Sequence, residues 1–518
     1  MQTARIVKDH IVFRVRNPEK TKQFFPDAKV ALAPGGYYLA GVPFTHEAAQ
    51  ILRGAGVQLP APIEYKYHWP GRFKPYDHQR NTAAFLTTNM RAFCLNGMGT
   101  GKTLSTVWSM DFLMREGAIK RALIAAPLST LERVWGDELF FTLPGRSFAV
   151  LHGSRDKRVR LLEEEHDFYI INHDGLELVA ELLAHREDIN HVLIDEIAVF
   201  RNHRTKRWKT LQYILNQQGI NRSVWGLTGT PTPNAPTDAY GQMKLIKPEN
   251  YKGSFTTFRH DTMLQINQFR WAPRRGSEET VHKILSPSIR YALEDCIELP
   301  PTIRQDRQCA LSAMQQKHYK ELMDEAVTMV RDSQVTAVNA AVLINKLMQV
   351  ACGVVYAGDG SIAEVDFGPR LSLLKEVIEE SQEKVIVFVP FTGVLNALKR
   401  ALEKQWSCEV VDGSTSSGRR NDIFQRFQHE KSPHVLLANA GTMAHGLNLT
   451  AATTVVWYAP TSSNDTYNQA NARPVRPGQK NVTNIVHMYA TAAERKTYKA
   501  LLEKTRLQDL VLDLAKGS

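Results

Sequence analysis

The chain has 518 residues, 43% of them hydrophobic and 23% charged, which is too long for a single core and ordinary for a globular protein of two or three domains. Sixty-four Lys and Arg against 53 Asp and Glu leave a formal charge of +11, a balance suited to a polyanionic partner. Five scattered cysteines without a CxxC, no apolar signal core after Met1 and no run near the ~18 apolar residues of a membrane span argue against zinc, secretion and membrane classes, and for a soluble chain in a reducing cytosol.

Residues 1–62 read as a small β-rich accessory module. Ile11, Phe13 and Val15 alternate with Val12, Arg14 and Arg16, and Val30-Ala31-Leu32-Ala33 is joined to Tyr37-Tyr38-Leu39-Ala40 through a Gly35-Gly36 turn. A helix is expected at about residues 45–53, ended by Gly54 and Gly56. Arg14, Arg16, Lys20 and Lys22 offer a route to DNA, although a solvated polar face is the simpler reading. An aromatic and basic run follows from Tyr65 to Gln79. Gln79 is the adenine candidate, because an amide matches both the donor and the acceptor on the edge of that base.

The chemistry gathers at Asn96-Gly97-Met98-Gly99-Thr100-Gly101-Lys102-Thr103. An apolar strand enters this stretch, and a helix carrying Leu104, Val107, Trp108 and Phe112 leaves it. Gly97, Gly99 and Gly101 allow backbone N–H groups to turn around the β-phosphate, with the helix N-terminus adding positive potential. Lys102 is then expected at the β/γ-phosphates and the Thr103 hydroxyl on Mg²⁺. Asn96 stands where the general pattern has glycine.

Apolar runs recur at residues 122–126, 148–151, 168–171, 192–194 and 224–227, with helical segments between most of them. This is the pattern of a parallel sheet, whose ligands lie at the carboxyl ends of its strands. Ser129-Thr130, Asn172-His173, Asp195-Glu196 and Thr228-Gly229-Thr230-Pro231 follow those runs. Asp195 is the candidate for holding Mg²⁺ and Glu196 for orienting and deprotonating an attacking water.

Gln79, the phosphate loop, Ala126-Pro127-Leu128, the Asp-Glu pair and Leu227-Thr228-Gly229-Thr230-Pro231 resemble the first motor lobe of superfamily-two helicases. The loop is similar to the Asp-Glu-Met-Gly-Leu-Gly-Lys-Thr of Swi/Snf-like translocases, as is Pro127-Leu128-Ser129 with Trp135 beyond it. The resemblance covers about residues 70–505 and implies an α/β fold of two RecA-like parallel-sheet lobes. Residues 63–250 would form the ATP-binding lobe and 251–300 a connector carrying Arg270, Arg274 and Arg275. Residues 301–518 would form the second lobe, with a helical insertion near 312–350. Its strands are expected at 384–388, 409–411, 434–438 and 454–457, followed by a helix carrying Gln469 to Arg476. The glycine-rich segment at residues 440–448 is longer than the family pattern, and Pro474 and Pro477 are unusual there.

For function, the resemblance implies a nucleic-acid-dependent ATPase using ATP and Mg²⁺, with Arg473 and Arg476 as fingers on the γ-phosphate and turnover waiting on closure of the two lobes. It implies translocation on double-stranded DNA through sequence-independent contacts to the phosphate backbone. Ser129, Thr130, Asn172, His173, Thr415 and Thr442 are the candidates for those contacts. The expected work is remodelling of DNA–protein or branched DNA structures, including annealing or fork reversal, in a prokaryotic or phage-infected cytoplasm beside a replication, recombination or transcription protein. Two alternatives stand beside it: a strand-unwinding DNA or RNA helicase, and a non-catalytic DNA- or polymerase-binding module with a vestigial ATP site. The intact Lys102, Asp195, Glu196, Arg473 and Arg476 speak against the second.

Overall fold

The computed structural model describes residues 4–268, 271–296, 298–331, 337–356, 362–381, 383–443 and 448–515. Arg270 of the expected connector, residues 332–336 of the expected helical insertion and residues 444–447 of the glycine-rich segment lie outside them. The chain divides into two compact units, residues 1–292 and 293–510, with 511–518 grouped with the first.

The first unit begins with β1 (Arg5–Val7), β2 (His10–Val15), β3 (Lys29–Leu32) and β4 (Tyr38–Pro43), an antiparallel sheet in the order β1-β2-β4-β3. The alternation in the sequence has a direct cause: Ile11, Phe13, Val15, Ala40 and Val42 face one way and bury themselves with Ala48, Ala49 and Leu52 of the helix His46–Gly54. Thr45 caps that helix by accepting from the Ala48 amide at 3.1 Å. The same helix ties the module to the rest of the unit, since the His46 amide donates to Glu116 at 3.1 Å and the His46 ring meets Phe112 edge-on.

Next come β5 (Arg91–Cys94), β6 (Arg121–Ala126), β7 (Phe148–Leu151), β8 (Phe168–Asn172), β9 (Ile189–Asp195) and β10 (Ser223–Leu227). They lie in one parallel sheet, ordered β5-β10-β9-β6-β8-β7. The strands read as continuous apolar runs because apolar clusters cover both faces of the sheet. The stretch expected as a connector adds to this unit. It carries helices Phe255–Thr262 and Ser277–Ile284, a hairpin of β11 (Met263–Gln265) and β12 (Trp271–Pro273), and a seventh sheet strand, β13 (Ser288–Ile289), beside β5.

The second unit opens with β14 (Thr302–Gln308) and helices Ala313–Arg331 and Ala337–Cys352, followed by a hairpin of β15 (Val354–Tyr356) and β16 (Ile362–Glu364). Then β17 (Lys384–Phe388), β18 (Cys408–Val411), β19 (Val435–Ala438), β20 (Ala452–Trp457) and β21 (Thr483–Tyr489) complete a parallel sheet of order β14-β21-β20-β17-β19-β18. Two parallel-sheet lobes behind a small antiparallel module are thus the architecture that the motif order implies. One expectation is corrected. The helix expected to carry Gln469 to Arg476 spans Asn464–Asn471, because Pro474 disfavours helical backbone at Arg473 and has no N–H of its own to donate. Beneath this sheet lies a buried ion pair: Arg370 and Glu494, each 1% exposed, are 2.7 Å apart.

Candidate active site

The phosphate loop is built by the residues around it. Its Asn96 is buried and braces the turn, donating to the Thr82 hydroxyl at 2.8 Å and accepting from the Tyr291 amide at 2.9 Å. That is the physical reason for the departure from glycine. Gly99 and Gly101 have φ of +79° and +78°, the left-handed region that favours glycine. A Cβ at Gly101 would fall 2.1 Å from Gln79 Nε2. Gln79 is buried against the loop, where its Nε2 donates to the Thr100 carbonyl at 3.3 Å and its Oε1 accepts from the Tyr76 amide at 3.1 Å. Helix Lys102–Arg115 starts at Gly101, and Lys102 Nζ donates to the carbonyls of Asn96 and Gly97 at 2.9 and 3.0 Å. Burial lowers the Lys102 pKa, while the nearby charge of Glu196, and more weakly that of Asp195, pushes it back up.

Strand register sets the second half of the site. Leu227 of β10 pairs with Cys94 on one side and Asp195 on the other, so the loop and the acid pair leave the same carboxyl end of the sheet with one strand between them. At ~4.8 Å per strand, the two strand ends are about 10 Å apart. Asp195 is oriented at both oxygens: Trp135 Nε1 donates to Oδ2 at 3.0 Å and the Glu196 amide to Oδ1 at 3.1 Å. Glu196 has φ +52°, a strained value for a residue with a Cβ. Its Oε2 accepts from the Thr228 hydroxyl at 3.3 Å, and that hydroxyl in turn accepts from the Thr230 amide at 3.1 Å. His173 is buried with Nε2 2.9 Å from the Asp195 carbonyl, and burial lowers its pKa to about 4, so it is neutral near pH 7.

The remaining candidates divide by exposure. Ser129 lies exposed on the short turn Leu128–Thr130, whereas Thr130 is buried and donates to the Pro127 carbonyl at 2.8 Å. Asn172 Oδ1 accepts from both Arg158 Nη atoms at 3.2 Å. Thr130 and His173 are therefore buried in local structure, Asn172 is partly exposed but bound through Oδ1 to Arg158, and Ser129 is the exposed member of the group. In the second unit, Thr415 accepts from the Asp412 amide at 3.0 Å and Thr442 donates to the Asn439 carbonyl at 2.7 Å. Arg473 is buried, and half-buried Arg476 donates through Nε to the Ala472 carbonyl at 3.0 Å, with burial lowering its pKa to about 10.

Sequence reasoning named Trp135 and Thr228 within motifs but assigned neither a role at the site. Trp135 and Asp195 are 60 positions apart, so no local signal marks their hydrogen bond. Among the described residues there is no group of three or more His, Cys, Asp or Glu able to cage a metal. Mg²⁺ needs none where one carboxylate, a hydroxyl and substrate phosphates supply its ligands, and the oriented Asp195 with Thr103 on the first helical turn fits that donor set.

Residues 78–352 match the family model of the SNF2-related domain, and residues 369–478 match that of the helicase conserved C-terminal domain. The ATP-dependent helicase MG018 of Mycoplasma genitalium is 26% identical over 80% of the chain and 40% of its own length. YwqA of Bacillus subtilis, named as an ATP-dependent helicase/translocase, is 26% identical over 85% of the chain and 49% of its own length. Protein p41 of Acyrthosiphon pisum secondary endosymbiont phage 1 is 24% identical over 86% of the chain and 99% of its own length. The chain thus spans less than half the length of the first two relatives.

Proposed function

The chain belongs to the SNF2-related family of ATP-dependent helicases and translocases, and from that membership we propose that it hydrolyses ATP to move along double-stranded DNA without reading sequence. The observation that carries this reading is the doubly oriented Asp195, with Glu196 beside it, across one strand from a phosphate loop that holds Lys102 among carbonyls. In this reading, the loop amides and Lys102 take the β- and γ-phosphates, and Gln79 takes the adenine edge. Thr103 and Asp195 would hold Mg²⁺, which would supply neutralisation of the phosphate charge. Glu196 orients the attacking water and accepts its proton. Arg473 and Arg476 stabilise the charge that grows on the transferred phosphoryl group.

Ser129, Thr415 and Thr442 are the proposed backbone contacts, and DNA–protein or branched DNA structures in a prokaryotic or phage-infected cytoplasm are the proposed object of the work. The test is steady-state ATP hydrolysis without nucleic acid and with single-stranded DNA, duplex DNA, forked DNA and RNA, at low and moderate salt. Duplex stimulation that falls steeply with salt, without strand release, is the expected outcome. Stimulation confined to single strands or RNA replaces the translocase with an unwinding helicase, and no hydrolysis under any condition removes the enzyme reading.

A further inference from the structure

The N-terminal module has a second sheet face that the motor reading leaves unused. The face opposite the helix His46–Gly54 is formed by residues that alternate with the buried set: Arg5 and Val7 of β1, His10, Val12 and Arg14 of β2, Lys29 and Ala31 of β3, and Leu39, Gly41 and Pro43 of β4. None of these positions holds a carboxylate, and Asp9 and Asp27 lie outside the strands.

The register places the charges. Arg5, Val12, Gly41 and Lys29 form one row across the four strands, with a cation at each end. Three strand spacings separate those cations, roughly 14 Å. Arg14, two residues along β2, opposes Leu39 in the row beyond. Arg5, Arg14 and Lys29 are exposed, and none makes an ion pair or a side-chain hydrogen bond with another described residue. Arg14 is instead held over the Tyr37 ring, 4.4 Å from its centroid. Stacking on a ring fixes a guanidinium in place while leaving its N–H fork available to an anion. The result is a shallow apolar floor of Val12, Leu39 and Gly41 rimmed by three uncompensated cations.

We infer that this open sheet face of the N-terminal module binds the phosphate backbone of DNA, as a contact surface additional to the motor. Charge complementarity commits it to a polyanion. Cations spaced along the rim of an apolar floor suit a repeating backbone better than a folded acidic protein, whose carboxylates come in fixed positions. The inference rests on the DNA-motor reading for its partner, but its test does not depend on turnover.

In the full chain, Arg5→Glu, Arg14→Glu and Lys29→Glu are combined, and binding to a labelled random-sequence duplex and its single strand is followed by fluorescence anisotropy across a salt series. The expected result is at least tenfold weaker binding at low salt. The slope of log K against log salt should flatten by about 2 to 3, since each phosphate contact contributes about 0.9. DNA-free ATPase and melting temperature stay at the parent values, and the charge-keeping pair Arg5→Lys with Arg14→Lys retains DNA affinity. Parent-like affinity and slope in the triple variant overturn the inference. So does poly-glutamate binding as tightly as DNA with the same sensitivity to the triple variant, which makes the face an acidic-protein site. If no nucleic acid stimulates ATPase and the triple variant still loses DNA, the motor reading falls and the face stands. If stimulation is present and binding is unchanged, the face alone falls.

Discussion

Asp195 owes its geometry to its neighbour Glu196 and to a residue far away in the chain. Trp135 is fully buried and packs with the first-unit core, so its indole serves both as apolar filler and as the donor on Asp195 Oδ2. Trp135→Phe keeps most of the filler and removes the donor. One hydrogen bond to a charged group is worth about 1.5–3 kcal/mol. The expected outcome is a roughly ten- to hundredfold fall in kcat, accompanied by a rise in the Mg²⁺ concentration needed for half-maximal rate. A purely structural role for the indole would lower the melting temperature and leave that Mg²⁺ midpoint alone, so titrating Mg²⁺ in the variant decides the matter. At this scale the sequence was legible wherever chemistry leaves a compact mark, as at the phosphate loop and the Asp-Glu pair. It named Trp135 and Thr228 only within motifs and gave neither a partner, since their hydrogen bonds to Asp195 and Glu196 join segments brought together only on folding. It was also incomplete on Asn96, whose side chain braces Thr82 and Tyr291.

Elements were legible in proportion to their burial. Most core strands stand out because an apolar run covered on both faces has no polar alternation to blur it; buried β21 is the exception and was not expected, because Thr483, Asn484 and His487 interrupt its apolar run. β13 is two residues long, and β14 is a mostly exposed edge strand, Thr302-Ile303-Arg304-Gln305-Asp306-Arg307-Gln308, so neither gives a periodic signal. The same limit hides the tie between helix Gly368–Glu380 and the region after β21. Arg370 donates to both oxygens of Glu494 at 2.7 and 2.9 Å and to the Tyr458 carbonyl at 2.8 Å. Glu494 also accepts from the amides of Ala490 and Thr491 at 2.9 and 3.0 Å. Removing one partner of such a pair strands a buried charge, at a cost of about 3–5 kcal/mol. Glu494→Ala is therefore expected to lower second-unit stability by that amount in urea unfolding. A change under about 1 kcal/mol would show that the pair is solvated.

For the molecule as a whole, acid is the expected weakness of the first unit. His191 is fully buried, with Nδ1 2.6 Å from the Ser223 hydroxyl, and burial lowers its pKa to about 3; His173 is lowered to about 4. Unfolded, both histidines would titrate near 6.5. Between pH 6.5 and about 4 the unfolded chain thus binds more protons than the folded one, and stability falls as pH falls, by up to about 1.4 kcal/mol per pH unit for each histidine. Melting temperature measured from pH 7 to pH 4 should drop steadily, and His191→Gln should flatten that drop; an identical slope in the variant would exclude His191 as a contributor. The pairing of β14 with β21 has a further consequence, one of time rather than energy. The strand at residues 302–308 finds its hydrogen-bonding partner at 483–489, at the other end of the second unit. On the ribosome the first unit's sheet has all its strands once residue 289 has emerged. The second must hold an edge strand unpaired through almost two hundred further residues of synthesis. A polar edge strand is suited to that wait, since it offers nascent neighbours little apolar surface on which to aggregate.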